Sequence, residues 1–217
     1  MDTSDASPHP ASVGVFGGTF DPVHNGHLRI ALDAYEALGL AQVRLIPLAR
    51  AVHRGQPETP AASRLAMVQA ALGGREDLVV DDRELRRAGP SYTIATLKSL
   101  RSDLPGTPLC LLLGTDAFAS FSRWRDPQGI LDVANLAILE RPGQHPEFDA
   151  DIERLLAARQ RDRLGAPPAG QIVFCPVTQL DIASSDIRRR IAAGRSADFL
   201  VPPAVADLIA RQRLYRR

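Results

Sequence analysis

The stretch GVFGGTFDPVHNGHL, residues 14–28, carries the chain from an apolar run into a helical pattern. It places two histidines, His24 and His27, three positions apart. VGVF (13–16) reads as a buried strand, and the helix is expected to begin near Asn25. Between them, Gly17 and Gly18 are expected to let the backbone bend tightly and approach a ligand closely. The spacing is neither GxGxxG nor GxxxxGK[ST], so neither a dinucleotide fingerprint nor a P-loop lysine is supported. A helix that starts here points its first N–H groups and positive dipole end at the turn, which suits a phosphate. Residues three apart share a helix face, so both histidines are expected to look into that site. A zinc reading fails for want of further ligands. His9 lies in the N-terminal tail, while His53 and His145 stand apart in loops.

Outward from this stretch, short apolar runs alternate with helical patterns. Strands are expected at 13–16, 43–47, 78–81, 109–113, 136–140 and 172–175. Several of these are apolar at consecutive positions, as strands covered on both faces must be. Helices are expected at 25–38, 63–72, 93–101, 116–121 and 149–164, with two more, 185–193 and 203–213, toward the C-terminus. This alternation implies an α/β fold built on a parallel sheet with right-handed crossovers. Segments 48–60, 86–92, 141–148 and 162–171 read as loops. The loop regions that follow strands should gather on the carboxyl edge of the sheet, where open parallel sheets bind ligands. Residues 1–11 read as a flexible tail and 12–217 as a single domain.

A second constellation, DIASSDIRRRI (181–191), opens a helix after the last strand. Ser184 or Ser185 is expected to cap that helix, and the first N–H groups there can receive an anion. Arg188 lies one turn on and can grip phosphate oxygens with several donors. Arg189 and Arg190 are expected to point into solvent. Two helix-start anion sites in one α/β chain point to a polyphosphate ligand.

Composition excludes several classes. The formal net charge of the 217-residue chain is +1, and its charges are spread out, unlike the basic stripe of a nucleic-acid binder. The apolar runs are of strand length, so no membrane span is expected. The first residues lack the positive and apolar regions of a signal peptide. Cys110 and Cys175 adjoin apolar runs and are expected to be buried free thiols in a reducing cytoplasm.

GGTFDPVHNGH resembles the signature of the HxGH nucleotidyltransferases, and IASSDIR (182–188) resembles their second motif, usually ISSTxIR. VHR (52–54), ELRRAGPSYTIATL (84–97), LGTDAF (113–118), FSRW (121–124), RPG (141–143) and FLVPPAVADLIARQRLY (199–215) extend the resemblance to bacterial nicotinate-nucleotide adenylyltransferases. The match spans nearly the whole chain after the tail. It departs at Ala51 and Val52, where the family usually has prolines, and at Ala183 and Ser185, which replace Ser and Thr. Pantetheine-phosphate adenylyltransferases usually carry Thr in place of His24, and cytidylyltransferases lack the GPSYT-to-Trp set.

The resemblance implies a Rossmann-like doubly wound parallel sheet with a C-terminal helical portion. It implies adenylyl transfer from ATP to nicotinate mononucleotide, with Mg²⁺ carried on the triphosphate and no protein-held metal. His24 and His27 would be catalytic. Gly17, Gly18, Thr19, Phe20, His27, Gly114, Asp116, Ser184, Ser185 and Arg188 would bind ATP. Arg54 would meet the mononucleotide phosphate, Trp124 would stack on the pyridine ring, and the backbone N–H groups of Tyr92 and Thr93 would hold the nicotinate carboxylate. Oligomeric state is left open.

Overall fold

The computed structural model describes residues 12–50, 57, 59–140, 147–165 and 168–216. The tail 1–11, Arg54 and the RPG segment 141–143 lie outside them. Six strands form one sheet: β1 (Val13–Gly18), β2 (Gln42–Pro47), β3 (Leu78–Val80), β4 (Leu109–Gly114), β5 (Asn135–Glu140) and β6 (Ile172–Pro176). All pairings are parallel, in the order β3-β2-β1-β4-β5-β6. This is the doubly wound order, which reverses direction between β1 and β4.

Nine helices accompany the strands among the described residues: α1 (Asn25–Ala37), α2 (Ala61–Leu72), α3 (Arg83–Arg86), α4 (Thr93–Asp103), α5 (Thr115–Phe118), α6 (Pro127–Val133), α7 (Ala150–Arg159), α8 (Ser184–Ala192) and α9 (Pro203–Arg211). Strand side chains alternate between two cores. Cys110 and Leu112 of β4 face a core shared with α1, α2, α8 and α9, whereas Leu109, Leu111 and Leu113 face one shared with α4, α6 and α7. That is why LCLLL is apolar at every position. The C-terminal helices are thus part of the first layer: Val205 and Ile209 of α9 pack in the same core as Met67 and Val68 of α2.

Where the elements differ from expectation, the causes are local. Two further helices, α3 and α6, stand in segments without a helical pattern. α6 starts on a strong signal, with Asp126 as N-cap accepting from the Gly129 N–H at 3.0 Å and Pro127 in the first turn. α3 is one charged turn in which the buried Arg83 guanidinium donates to both carboxylate oxygens of nearby Asp81 at 2.9 Å and, across to α4, to the Ser99 hydroxyl at 2.9 Å. The helix expected to run to 164 stops at Arg159. Gln160 instead bridges to Ile172, whose carbonyl accepts from the Arg161 N–H at 2.8 Å. The helix expected at 116–121 is only α5, followed by a 3-10 turn at Phe121–Arg123. Both cysteines are buried free thiols, and burial pushes Cys110 up to about 12 and Cys175 up to about 11.

Candidate active site

A cavity of about 950 Å³ opens at the carboxyl ends of β1 and β4, where the strand order reverses. Its wall includes Gly17, Gly18, Thr19, Phe20, His24 and His27 from the first motif. Ser184, Ser185 and Arg188 come from α8, and Tyr92, Thr93 and Trp124 from the opposite side. Chain segments 162 and 167 positions apart in sequence therefore meet around one space.

The two histidines form a reciprocal cap on α1. His24 is the N-cap, and its Nδ1 accepts from the His27 N–H at 3.3 Å. The His24 N–H in turn donates to Nδ1 of His27 at 3.3 Å. This is the capping-box arrangement with imidazoles in place of hydroxyl and carboxylate. The rings stack with centroids 3.6 Å apart. Each Nδ1 uses its lone pair on an amide proton, so the neutral ring carries its own proton on Nε2. Burial pulls His24 down to about 4. Burial, and then the neighbouring His24, pull His27 down to about 3. Both are therefore neutral hydrogen-bond donors at neutral pH in the ligand-free protein.

This arrangement changes the expected anion site at the start of α1. Two of its first three amides are already taken: Asn25 donates to the Leu200 carbonyl at 2.9 Å, and His27 is bound to His24. The imidazoles, rather than the bare helix end, are what the motif presents.

The glycines also act differently from expectation. Gly17 and Gly18 are the last residues of β1, paired with Ile46 and Pro47, and neither makes the turn. A Cβ on Gly18 would lie 2.8 Å from the Phe20 ring, so glycine is needed for that ring to fold back. Phe20 itself turns the chain at φ 50 and is buried edge-on against His27, with centroids 5.1 Å apart. A Cβ on Gly17 would meet nothing within 4 Å, so this position keeps the cavity wall flat. Gly26 gives the His24 ring its room, since a Cβ there would sit 3.1 Å from Nδ1.

On the α8 side, Ala183 is the N-cap and supplies no side-chain bond. Neither serine caps the helix. Ser184 instead donates its hydroxyl to the Pro22 carbonyl at 2.9 Å, and Ser185 is exposed. The N–H groups of Ser184 and Ser185, first in α8, have no acceptor within the helix and lie in the cavity wall. Arg188 donates from Nη1 to the Asp21 carbonyl at 2.7 Å. Arg189 and Arg190 are exposed, as expected.

Two residues that sequence reasoning missed hold this loop in place. Arg64 of α2 is 1% exposed and donates to three carbonyls, those of Thr19 and Leu48 at 2.7 Å and Thr59 at 3.2 Å. It ties the first motif to the segments that follow β2. Tyr215 donates its hydroxyl to Oδ1 of the buried Asp21 at 2.6 Å. A lone arginine inside an apolar helix pattern (ASRLAMV) is the sequence signal for Arg64, since a buried guanidinium must find several acceptors. Tyr215 carries no local signal.

At the other end, Trp124 donates from Nε1 to the Ser120 hydroxyl at 3.2 Å and packs beside Phe121 while lining the cavity. Tyr92 precedes α4, and its N–H is engaged by the Pro90 carbonyl at 3.1 Å. Of the two amides expected to hold a carboxylate, only that of Thr93, first in α4, is left without an acceptor within its helix. Glu84 also reaches this wall, and its Oε1 accepts from the Thr96 hydroxyl at 2.7 Å. Gly114 and Asp116 stand at the same sheet edge, at the end of β4 and the start of α5, but they do not line the cavity. Among the described residues, no three His, Cys, Asp or Glu side chains are grouped to hold a metal ion.

A cytidylyltransferase-like family model matches residues 15–190. Relatives named "Probable nicotinate-nucleotide adenylyltransferase" are similar along nearly the full chain. That of Aeromonas salmonicida is 42% identical over 209 residues, covering 95% of this chain and 98% of its own. That of Pseudomonas syringae pv. tomato is 45% identical over 210 residues, covering 95% of each. Among solved structures, the Plasmodium falciparum nicotinic acid mononucleotide adenylyltransferase complexed with NaAD superposes with a TM-score of 0.70 at 18% identity, covering 94% of this chain and 97% of that one. At that identity the likeness speaks for the fold.

Proposed function

Since this chain belongs to the nicotinate-nucleotide adenylyltransferase family, within the cytidylyltransferase-like nucleotidyltransferases, we propose that it joins ATP to nicotinate mononucleotide. The products are nicotinate adenine dinucleotide and pyrophosphate. A phosphate oxygen of the mononucleotide attacks the α-phosphorus of ATP in line. The bond from that phosphorus to the β-bridging oxygen breaks, and pyrophosphate leaves with the electron pair. No covalent enzyme intermediate forms.

The observation that carries this reading is the reciprocal cap of His24 and His27. With both Nδ1 atoms accepting amide protons, the rings offer Nε2–H donors and no nucleophilic lone pair. Phosphoryl-type transfer requires mainly alignment and charge stabilisation, and donors fixed in advance supply the second. A triphosphate beside the rings meets the two Nε2–H donors without any change of protonation, because both Nδ1 lone pairs are already used by the cap.

Arg188 and the first amides of α8 receive the β- and γ-phosphates, beside the glycine wall of Gly17 and Gly18. Thr19 and Phe20 shape the reaction centre, and Gly114 and Asp116 lie toward a ribose. Trp124 stacks on the pyridine ring, and Thr93 meets its carboxylate. Arg54, outside the described residues, is assigned to the mononucleotide phosphate. Of the two cavity carboxylates, Asp21 accepts from Tyr215, and Glu84 accepts from Thr96 through Oε1 while its Oε2 is buried without a partner among the described residues. That donor set does not make a resident metal site, and it fits Mg²⁺ arriving on the triphosphate. The reaction is assigned to the cytoplasm, in keeping with two reduced thiols.

Pyrophosphate release from ATP, with each mononucleotide offered in turn, tests the reading. The acid is expected to be preferred over the amide by at least about 10²-fold in kcat/KM, since a donor-only pocket leaves an amide NH₂ unpaired. Comparable values for acid and amide would replace this reading with a dual-specificity enzyme.

A further inference from the structure

Resting on the assignment of Trp124 to the pyridine ring, we propose that the Arg125 side chain reads the charge of the ring substituent and so selects the acid mononucleotide. Arg125 directly follows Trp124, and both line the cavity. Its guanidinium carbon lies 4.6 Å from the centroid of the Tyr92 ring. The cation is thus parked at the ring end of the cavity, beside the start of α4 and the Thr93 amide.

The surroundings leave that charge unneutralised. Among the described residues, Arg125 has no ion pair, and its guanidinium rests on the tyrosine face. Neither cavity carboxylate is ion-paired with it: Asp21 accepts from Tyr215, and Glu84 accepts from Thr96 through Oε1, its Oε2 being buried without a partner among the described residues. The other described arginine in the wall, Arg188, is bound to the Asp21 carbonyl by the α8 side. Arg125 is exposed and Tyr92 half-buried, so the ring contact holds the cation weakly and the side chain can exchange it for a carboxylate at small cost.

Such a donor is also what the pocket lacks. A carboxylate presents two oxygens and several lone pairs. With the Tyr92 amide committed to the Pro90 carbonyl, the Thr93 amide is one donor where the carboxylate offers two oxygens. A guanidinium supplies several N–H groups in a planar fork that matches a carboxylate. A carboxamide in the same position carries no charge, and its NH₂ faces further donors, which cannot pair with it. Arg125 therefore strengthens binding of the acid and leaves the amide no compensating contact.

The test compares Arg125→Gln, which shortens the side chain and replaces the charged fork by a neutral amide, with the unmutated enzyme on both mononucleotides. The substitution is expected to lower kcat/KM for nicotinate mononucleotide at least about tenfold, the effect typical of losing a charge-assisted hydrogen bond. The value for nicotinamide mononucleotide is expected to stay within about threefold, so the preference for the acid shrinks. Arg125→Lys is expected to fall between the two.

Trp124 is the sole tryptophan, so its fluorescence gives a second readout. Quenching by the acid mononucleotide should require higher ligand concentrations in Arg125→Gln, with quenching by the amide unchanged. Equal losses on both substrates would place Arg125 on a group they share, such as the phosphate, and overturn the proposal. An unchanged acid preference would also overturn it. In both cases the unmutated enzyme would still prefer the acid and the parent assignment would stand. If the unmutated enzyme shows neither turnover nor quenching with the acid mononucleotide, the parent assignment falls and this inference falls with it.

Discussion

Tyr215 donates its hydroxyl proton to Oδ1 of Asp21 at 2.6 Å, across 194 positions of sequence. The contact fastens the C-terminal end of the described chain to the loop between β1 and α1 that lines the cavity. Burial, and then the neighbouring Asp21, raise the Tyr215 phenol above its ordinary range, so it remains a donor throughout the neutral range. The same loop is held from α8 through the Asp21 and Pro22 carbonyls. Helix and C-terminus thus fix one short segment between β1 and α1.

Tyr215→Phe is therefore expected to lower both stability and turnover. Removing one partner leaves a carboxylate oxygen at a 4% exposed residue without its donor, a loss of about 1–3 kcal/mol. In a chain of this size that corresponds to a melting temperature lower by roughly 3–10 °C. Thermal unfolding alongside steady-state assays checks it, and an unchanged melting temperature would contradict the latch.

Arg64→Met should destabilise the fold more than loss of the Tyr215 hydroxyl or of the His27 ring. Its guanidinium satisfies three carbonyls from Thr19, Leu48 and Thr59, and a thioether satisfies none. Leaving buried acceptors unpaired costs about 1–3 kcal/mol each. Urea unfolding should show a loss of at least about 2 kcal/mol with m little changed. A loss below about 0.5 kcal/mol would mean that water readily replaces the guanidinium.

His27→Ala is expected to reduce kcat about 10²–10³-fold, the effect of removing one preorganised electrostatic donor. The fold should survive with a loss of about 0.5–1.5 kcal/mol, because only the bond from the His24 N–H to the ring is lost while the N-cap bond from the residue 27 N–H to His24 stays. A variant that keeps more than half its turnover would remove His27 from the catalytic assignment.

The histidine environment also sets a pH dependence. Both folded values, about 4 for His24 and about 3 for His27, lie below the ordinary 6.5. Between 6.5 and those values the unfolded chain binds more protons than the folded one. Stability from this pair is therefore complete above about pH 6.5 and is lost as pH falls toward the folded values. In an NMR titration of the ligand-free protein, the ring signals of two of the five histidines should not move between pH 5 and 8. Five ordinary titration curves would refute the buried, neutral pair.

Arg188→Ala should raise the KM for ATP far more than that for the mononucleotide, since it removes charge-assisted hydrogen bonds from the triphosphate end. Arg190→Ala, on the exposed side of α8 with Nε on the Ser196 carbonyl at 3.2 Å, should be nearly silent. Equal effects from the two would invalidate the helix-face assignment.

Much of this protein is set by its own sequence. Apolar runs of strand length, spaced by amphipathic helices, fix six parallel strands, because each strand must be covered on both faces and each crossover needs a helix. The motif residues His24, His27, Ser184 and Arg188 are legible for a related reason: they stand at strand-to-helix junctions, and such junctions collect on one sheet edge. Tertiary structure decides how those residues are used. The glycine pair continues a strand because it pairs with Ile46 and Pro47 of β2. The amide of Asn25 is taken by the Leu200 carbonyl, and the serine expected to cap α8 reaches across to Pro22. Arg64 and Tyr215 gain their roles from partners 45 and 194 positions away, and Arg125 from the distant Tyr92 ring. Local propensity carries no information about such partners, since a hydrogen bond or ring contact forms only after the sheet has brought distant segments together.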